Sequence, residues 1–169
     1  MQATKKIKTV VWLEDNPDTL DYEINDIKKS YEGKLDIKVW DGNYKGSLRG
    51  LKCIEDFQKN IEEASNIVGF ILDMRIPMED LSILGLPNIK NETGLISGIQ
   101  IALYYLHNKD GDSPLGDRFK NTPVLFFTVA GGVKNRFSWV DDEQQKYRFL
   151  EKTTPENFDE LKKWLKQFV

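Results

Sequence analysis

Asp73 follows directly on a wholly apolar run, Ile67-Val68-Gly69-Phe70-Ile71-Leu72, and a second run, Val10-Val11-Trp12-Leu13, ends as abruptly in Glu14-Asp15. A carboxylate is a competent nucleophile toward activated phosphorus, and several carboxylates together suit a hard divalent cation. Brought close to one another they repel strongly, and a bound cation relieves that repulsion. Two more residues fit the same chemistry. Thr128 ends a buried-looking run over 123–128 and offers a hydroxyl donor; Lys152 follows a short run over 147–151 and offers a fixed positive charge. Phosphoryl transfer demands mostly positioning and neutralisation of spreading negative charge. Asp73 as acceptor, a magnesium ion held by Asp15 and Asp73 with Glu14 acting through water, Lys152 and Thr128 would together meet that demand.

These residues can act together only if the chain brings them to one edge. Four to six apolar residues without polar alternation suit strands buried on both faces of a parallel sheet, and such sheets present ligand-binding loops at their carboxyl ends. Strands are expected over 6–13, 35–40, 67–73, 123–128 and 147–151. Between them run helical spacings: Leu20, Ile24, Ile27 and Tyr31 after Pro17; Leu51, Ile54, Phe57 and Ile61; Leu95, Ile99, Ala102 and Leu106; and, after Pro155, Phe158, Leu161, Trp164, Leu165 and Phe168. A weaker helix is expected between the fourth and fifth strands, opened by Gly131-Gly132 and closed by Asp141-Asp142-Glu143. The alternation predicts an open, doubly wound α/β fold with a parallel sheet, right-handed crossovers and helices on both faces. Two stretches, 78–93 and 108–122, exceed what a minimal domain needs and are rich in loop-forming residues.

The chain has 169 residues, enough for one domain, 1–169, with a full-sized core. A net charge of −3 with interspersed signs disfavours direct nucleic-acid binding through a basic surface. The lone Cys53 has no internal disulfide partner, and no apolar run approaches a membrane span, so a cytoplasmic protein is expected. Trp12, Trp40, Phe70, Phe126 and Trp164 read as core, and His107 as a residue near a helix end. Taken singly, Glu14-Asp15 also suits a turn cap, Asp73 a loop aspartate, Thr128 strand packing and Lys152 a surface lysine.

Taken in order, these positions resemble the receiver domain of two-component response regulators. That family carries an acidic pair after strand one, the phosphoacceptor after strand three, Thr or Ser after strand four and Lys after strand five, as Glu14-Asp15, Asp73, Thr128 and Lys152 stand here. Pro77, four residues after Asp73, and Gly94 also match, and Phe149 falls where the family keeps an aromatic that swings inward on activation. The resemblance implies a flavodoxin-like sheet in the order 2-1-3-4-5 and Mg²⁺ as cofactor. The ion's ligands would be Glu14, Asp15, Asp73 and the backbone carbonyl of Arg75. It implies a histidine kinase or phosphotransfer protein as phosphodonor and a downstream target or output domain as receiver of the signal. A homodimer through the fourth helix, fifth strand and fifth helix, with Phe137, Trp139 and Tyr147, belongs to the same implication. No output domain follows, so a stand-alone receiver or a piece of a larger protein is expected. Catalysis would be confined to the protein's own phosphoryl transfer and dephosphorylation.

Three features depart from the family. Lys152 is followed by Thr153 where proline is usual; Val129 replaces a small residue after Thr128; and the 78–93 stretch is inserted beside Asp73, as a lid or docking surface. They motivate an alternative, a receiver-like module that binds proteins without phosphorylation. A haloacid dehalogenase-type phosphatase would need an aspartate at position 75, where Arg75 stands. Nor does a Gly-x-Gly-x-x-Gly follow the first strand, as dinucleotide binding requires.

Overall fold

In the computed structural model, which describes residues 6–77, 81–86, 97–129 and 146–169, five strands form one parallel sheet. They are β1 (Lys8–Leu13), β2 (Leu35–Val39), β3 (Ile67–Leu72), β4 (Val124–Thr128) and β5 (Tyr147–Glu151). The order is 2-1-3-4-5, the flavodoxin-like arrangement. The α-helices among the described residues are α1 (Asp21–Ser30), α2 (Arg49–Glu63), α3 (Ser97–Gln100) and α4 (Pro155–Lys166). Because the winding reverses between β1 and β3, the chain leaves those two neighbours toward opposite faces. A crevice opens at their carboxyl ends.

Residues alternate between the two faces along each strand, and both faces are covered, which is why the strands lack polar alternation. Val11, Leu13, Phe70, Leu72, Phe126 and Phe149 meet Ile54, Phe57 and Ile61 of α2 and Ile99 and Ala102 of the α3 segment. Val10, Trp12, Ile71, Leu125 and Phe127 meet Ile24 and Ile27 of α1 and Leu161, Trp164 and Leu165 of α4. The five aromatics read as core, Trp12, Trp40, Phe70, Phe126 and Trp164, are all buried.

Several boundaries differ from the sequence reading. β1 begins at Lys8 rather than at residue 6, and β3 stops at Leu72, leaving Asp73 as the first residue beyond it. Pro17 opens a separate 3₁₀ turn, Pro17–Leu20, ahead of α1. The buried side of α2 runs through Gly50, Cys53, Ile54, Phe57 and Ile61. Leu51, expected on that side, is only half-buried because the stripe steps from Gly50 to Cys53 and Ile54 and leaves it at the margin. After Gln100 the third helix widens into a π-wound stretch, Ile101–Leu106, and the His107 N–H donates to the Ala102 carbonyl at 2.9 Å. The helix expected between β4 and β5, with Phe137 and Trp139, lies outside the described residues, as do Gly94 and Leu95.

The described part of the 78–93 insertion is packed inward. Leu81, Leu84 and Leu86 join the core under α2 and α3, as does Phe119 of the 108–122 loop. The loops also meet each other, for a Cβ on Gly85 would lie 3.2 Å from Pro114 Cγ. His107 is buried, bonded through Nδ1 to the Tyr147 hydroxyl and through Nε2 to the Thr122 carbonyl at 2.9 Å. It thus ties the end of the third helix to β5. Tyr147, expected on a partner surface, is buried in that arrangement. Among the described residues, no helix is long and apolar enough to cross a membrane.

Candidate functional site

The register of the sheet brings the reactive residues together. Leu13 of β1 pairs with Leu72 of β3, so the next residues, Glu14 and Asp73, emerge side by side. The Asp73 N–H extends the ladder by donating to the Leu13 carbonyl at 2.8 Å. On the other side Thr128 of β4 pairs with Glu151 of β5, and the Lys152 N–H donates to the Thr128 carbonyl at 2.9 Å. Four strand ends are thereby held by the backbone rather than by loop conformation.

Lys152 reaches across this edge. Its Nζ lies 2.5 Å from Glu14 Oε2 and 2.6 Å from Asp73 Oδ2, and all three side chains are almost wholly buried. Each carboxylate is also fixed from its own loop. The Asn16 N–H donates to Glu14 Oε1 at 3.1 Å, and the Arg75 N–H donates to Asp73 Oδ1 at 3.0 Å. Charge-assisted bonds of this kind set orientation as well as energy. The lysine reaches both acids although no proline follows it and no described peptide is cis.

Asp15 completes the group. Oxygens of Glu14, Asp15 and Asp73 lie within 4.8 Å of one another. Among the described residues one ammonium therefore faces three carboxylates, and the imbalance appears in the titration of Glu14 and Asp15. Burial pushes the Glu14 carboxyl up, Lys152 pulls it back and Asp73 pushes it further, leaving it at about 7. Asp15 is also raised, by burial and then by Asp73. Burial alone would lower the Lys152 ammonium, but Glu14 and Asp73 outweigh it and its pKa rises. A divalent cation would offset the uncompensated charge, and clustered carboxylate oxygens are the donors such an ion takes. The cluster can hold a metal ion.

The remaining sequence candidates divide. Thr128 is completely buried as the last residue of β4, on the same sheet edge as Lys152. Arg75 meets Asp73 through its N–H. Phe149 is buried within β5, on the face covered by α2 and α3, rather than at the carboxylates. Val129, next to Thr128, is exposed.

Three residues that the sequence reading did not single out shape the site. The fully buried Ser97 Oγ accepts from the Ile76 N–H at 2.9 Å and lies 3.1 Å from its carbonyl, pinning the chain just past Asp73. Gly98 sits so near β3 that a Cβ would fall 2.1 Å from the Asp73 carbonyl oxygen. Arg49, at the start of α2, donates through Nε to the Asp15 carbonyl and lies over Trp40, 5.5 Å from the ring centre. A glycine or serine at a helix start is too common to flag such closeness, and the Arg49 contact spans distant parts of the chain.

Set against known protein families and against curated proteins, the chain matches none.

Proposed function

We propose that the protein is a phosphoacceptor switch of the receiver type, taking a phosphoryl group on Asp73 with Mg²⁺ as cofactor. The observation that carries this reading is Lys152 bridging Glu14 and Asp73 at the paired ends of β1 and β3, with Asp15 beside them. An Asp73 oxygen attacks the phosphorus of the donor. A P–O or P–N bond to the leaving group breaks, the leaving group departs with the electron pair, and an acyl phosphate remains. Bound Mg²⁺, held by Asp15, Asp73, Glu14 and the Arg75 carbonyl, would neutralise charge on the phosphoryl oxygens. Lys152 follows the new charge at Asp73, and the Thr128 hydroxyl donates to a phosphoryl oxygen. The shift of these two residues, with Phe149 on the adjoining strand, biases a partner-binding surface between two states. The physiological donor is a histidine kinase or phosphotransfer protein and the receiver of the signal a protein target; a homodimer through the face beside β5 belongs to the same reading. The setting is the cytoplasm, consistent with the single free and buried Cys53.

The test is intact-mass measurement after incubation with a small phosphodonor, with and without Mg²⁺. One phosphoryl addition that needs Mg²⁺ and vanishes in Asp73→Ala supports the reading. No addition under any donor removes it.

A second reading, a protein-binding module that signals without phosphate, is favoured by one observation. Lys152 already pairs with both buried carboxylates, so the edge holds together by itself. It predicts partner affinity indifferent to Asp73→Asn.

A further inference from the structure

We infer that Arg49 is a positioning residue that fixes the Asp15 segment for cation binding, acting through geometry against its own charge. This rests on the cation-binding reading of Glu14, Asp15 and Asp73. Glu14 and Asp73 are each held by Lys152 and by a backbone N–H, but Asp15 sits on the turn between β1 and the 3₁₀ turn. That turn is gripped from a distant element. Arg49 Nε donates to the Asp15 carbonyl, and its Nη2 lies 3.4 Å from Asp18 Oδ2. The guanidinium is mostly buried, with Trp40 beneath it.

The loop before Arg49 tightens the grip. Lys45 pairs with Asp18. Gly42, at φ +72°, comes so close that a Cβ would lie 2.3 Å from Asp18 Oδ1 and 2.9 Å from Pro17 Cγ. The loop between β2 and α2 therefore rests directly on the 3₁₀ turn that follows Asp15. Partners behind metal ligands orient them, and their loss typically weakens metal binding.

Coulomb's law and geometry predict opposite signs here. A guanidinium beside a cation site repels the incoming ion, so removing it as a mere charge strengthens binding. Removing it as a clamp loosens Asp15 and weakens binding.

The experiment titrates the 169-residue chain with Mn²⁺ or Mg²⁺ alone, read by calorimetry and tryptophan fluorescence, with ion-free thermal unfolding run in parallel. Arg49→Ala is expected to weaken binding about tenfold. Arg49→Gln, equally neutral but still a donor, weakens it less. Gly42→Ala keeps every charge and displaces the loop; it also weakens binding, and with Arg49→Gln it carries the test should Arg49→Ala unfold. Unchanged or tighter binding in these variants overturns the clamp. If the unaltered protein binds neither ion, the cation site and the clamp fall together. Binding of the ion without phosphoryl uptake removes the receiver reading and leaves the clamp standing.

Discussion

Gly98 and Asp73 touch through their backbones: a Cβ on Gly98 would lie 2.1 Å from the Asp73 carbonyl oxygen, and the Gly98 N–H donates to the Met74 carbonyl at 3.3 Å. The start of α3 is thus seated on the turn that presents the acceptor. Gly69 is crowded differently, since the atoms nearest its Cβ would be the ring ends of Phe168 and Trp164, at 2.9–3.1 Å. Overpacking a buried site typically costs about 1–3 kcal/mol. Gly98→Ala is expected at or above the upper end of that range, since backbone cannot step aside, and Gly69→Ala nearer the lower end. Denaturant unfolding of the two variants measures the difference, and an equal cost would show that the α3 start yields freely.

Lys152→Met removes the ammonium and leaves two buried carboxylates facing each other. Breaking a buried ion pair on one side costs roughly 3–5 kcal/mol, and a loss of that order is expected without divalent ions at neutral pH. Mg²⁺ should stabilise this variant more than the unaltered protein, because the ion then supplies the positive charge that Lys152 no longer places between Glu14 and Asp73. Thermal unfolding with and without Mg²⁺ checks both expectations.

The pH dependence has a definite sign. Glu14 titrates near 4.5 as a free side chain and at about 7 in the fold, mainly through burial. Between those values the folded protein holds a proton that the unfolded chain has lost. Stability therefore falls as pH rises through this window, and the loss is complete above about 7. Asp15, raised for the same reason, adds to the fall. The raised Lys152 ammonium loses its contribution only in the alkaline range. Ion-free unfolding should show on the order of 3 kcal/mol less stability above this window than below it. Glu14→Gln should flatten the slope, and cation affinity should rise through the same window as the proton leaves. Denaturation at a series of pH values settles the sign.

How much of this was legible in the sequence depends on the range of the interaction. The runs ending at Leu13, Leu72 and Thr128 announce doubly buried strands because a parallel sheet under helices has no wet face. That pattern predicts the parallel sheet and the meeting of Glu14, Asp15, Asp73 and Lys152, whereas the order 2-1-3-4-5 is implied only by the resemblance to receiver domains. Leu51 misled because helical spacing alone does not say where the centre of a buried stripe falls. Ser97, Gly98 and Arg49 were invisible because their roles depend on partners 21 to 34 residues away, and ordinary residue types carry no sign of such partners. Phe149 and Tyr147 were placed on the correct strand, but the burial of Tyr147 against His107 follows from how the third helix ends.

The most direct measurement locates the modification itself. After exposure to a small phosphodonor and Mg²⁺, borohydride reduction converts an acyl phosphate to an alcohol, and peptide sequencing by mass spectrometry finds the altered side chain. Homoserine at position 73, dependent on both donor and Mg²⁺, is the predicted result. No conversion, or conversion at any other carboxylate, would contradict the assignment of Asp73 as the phosphoacceptor.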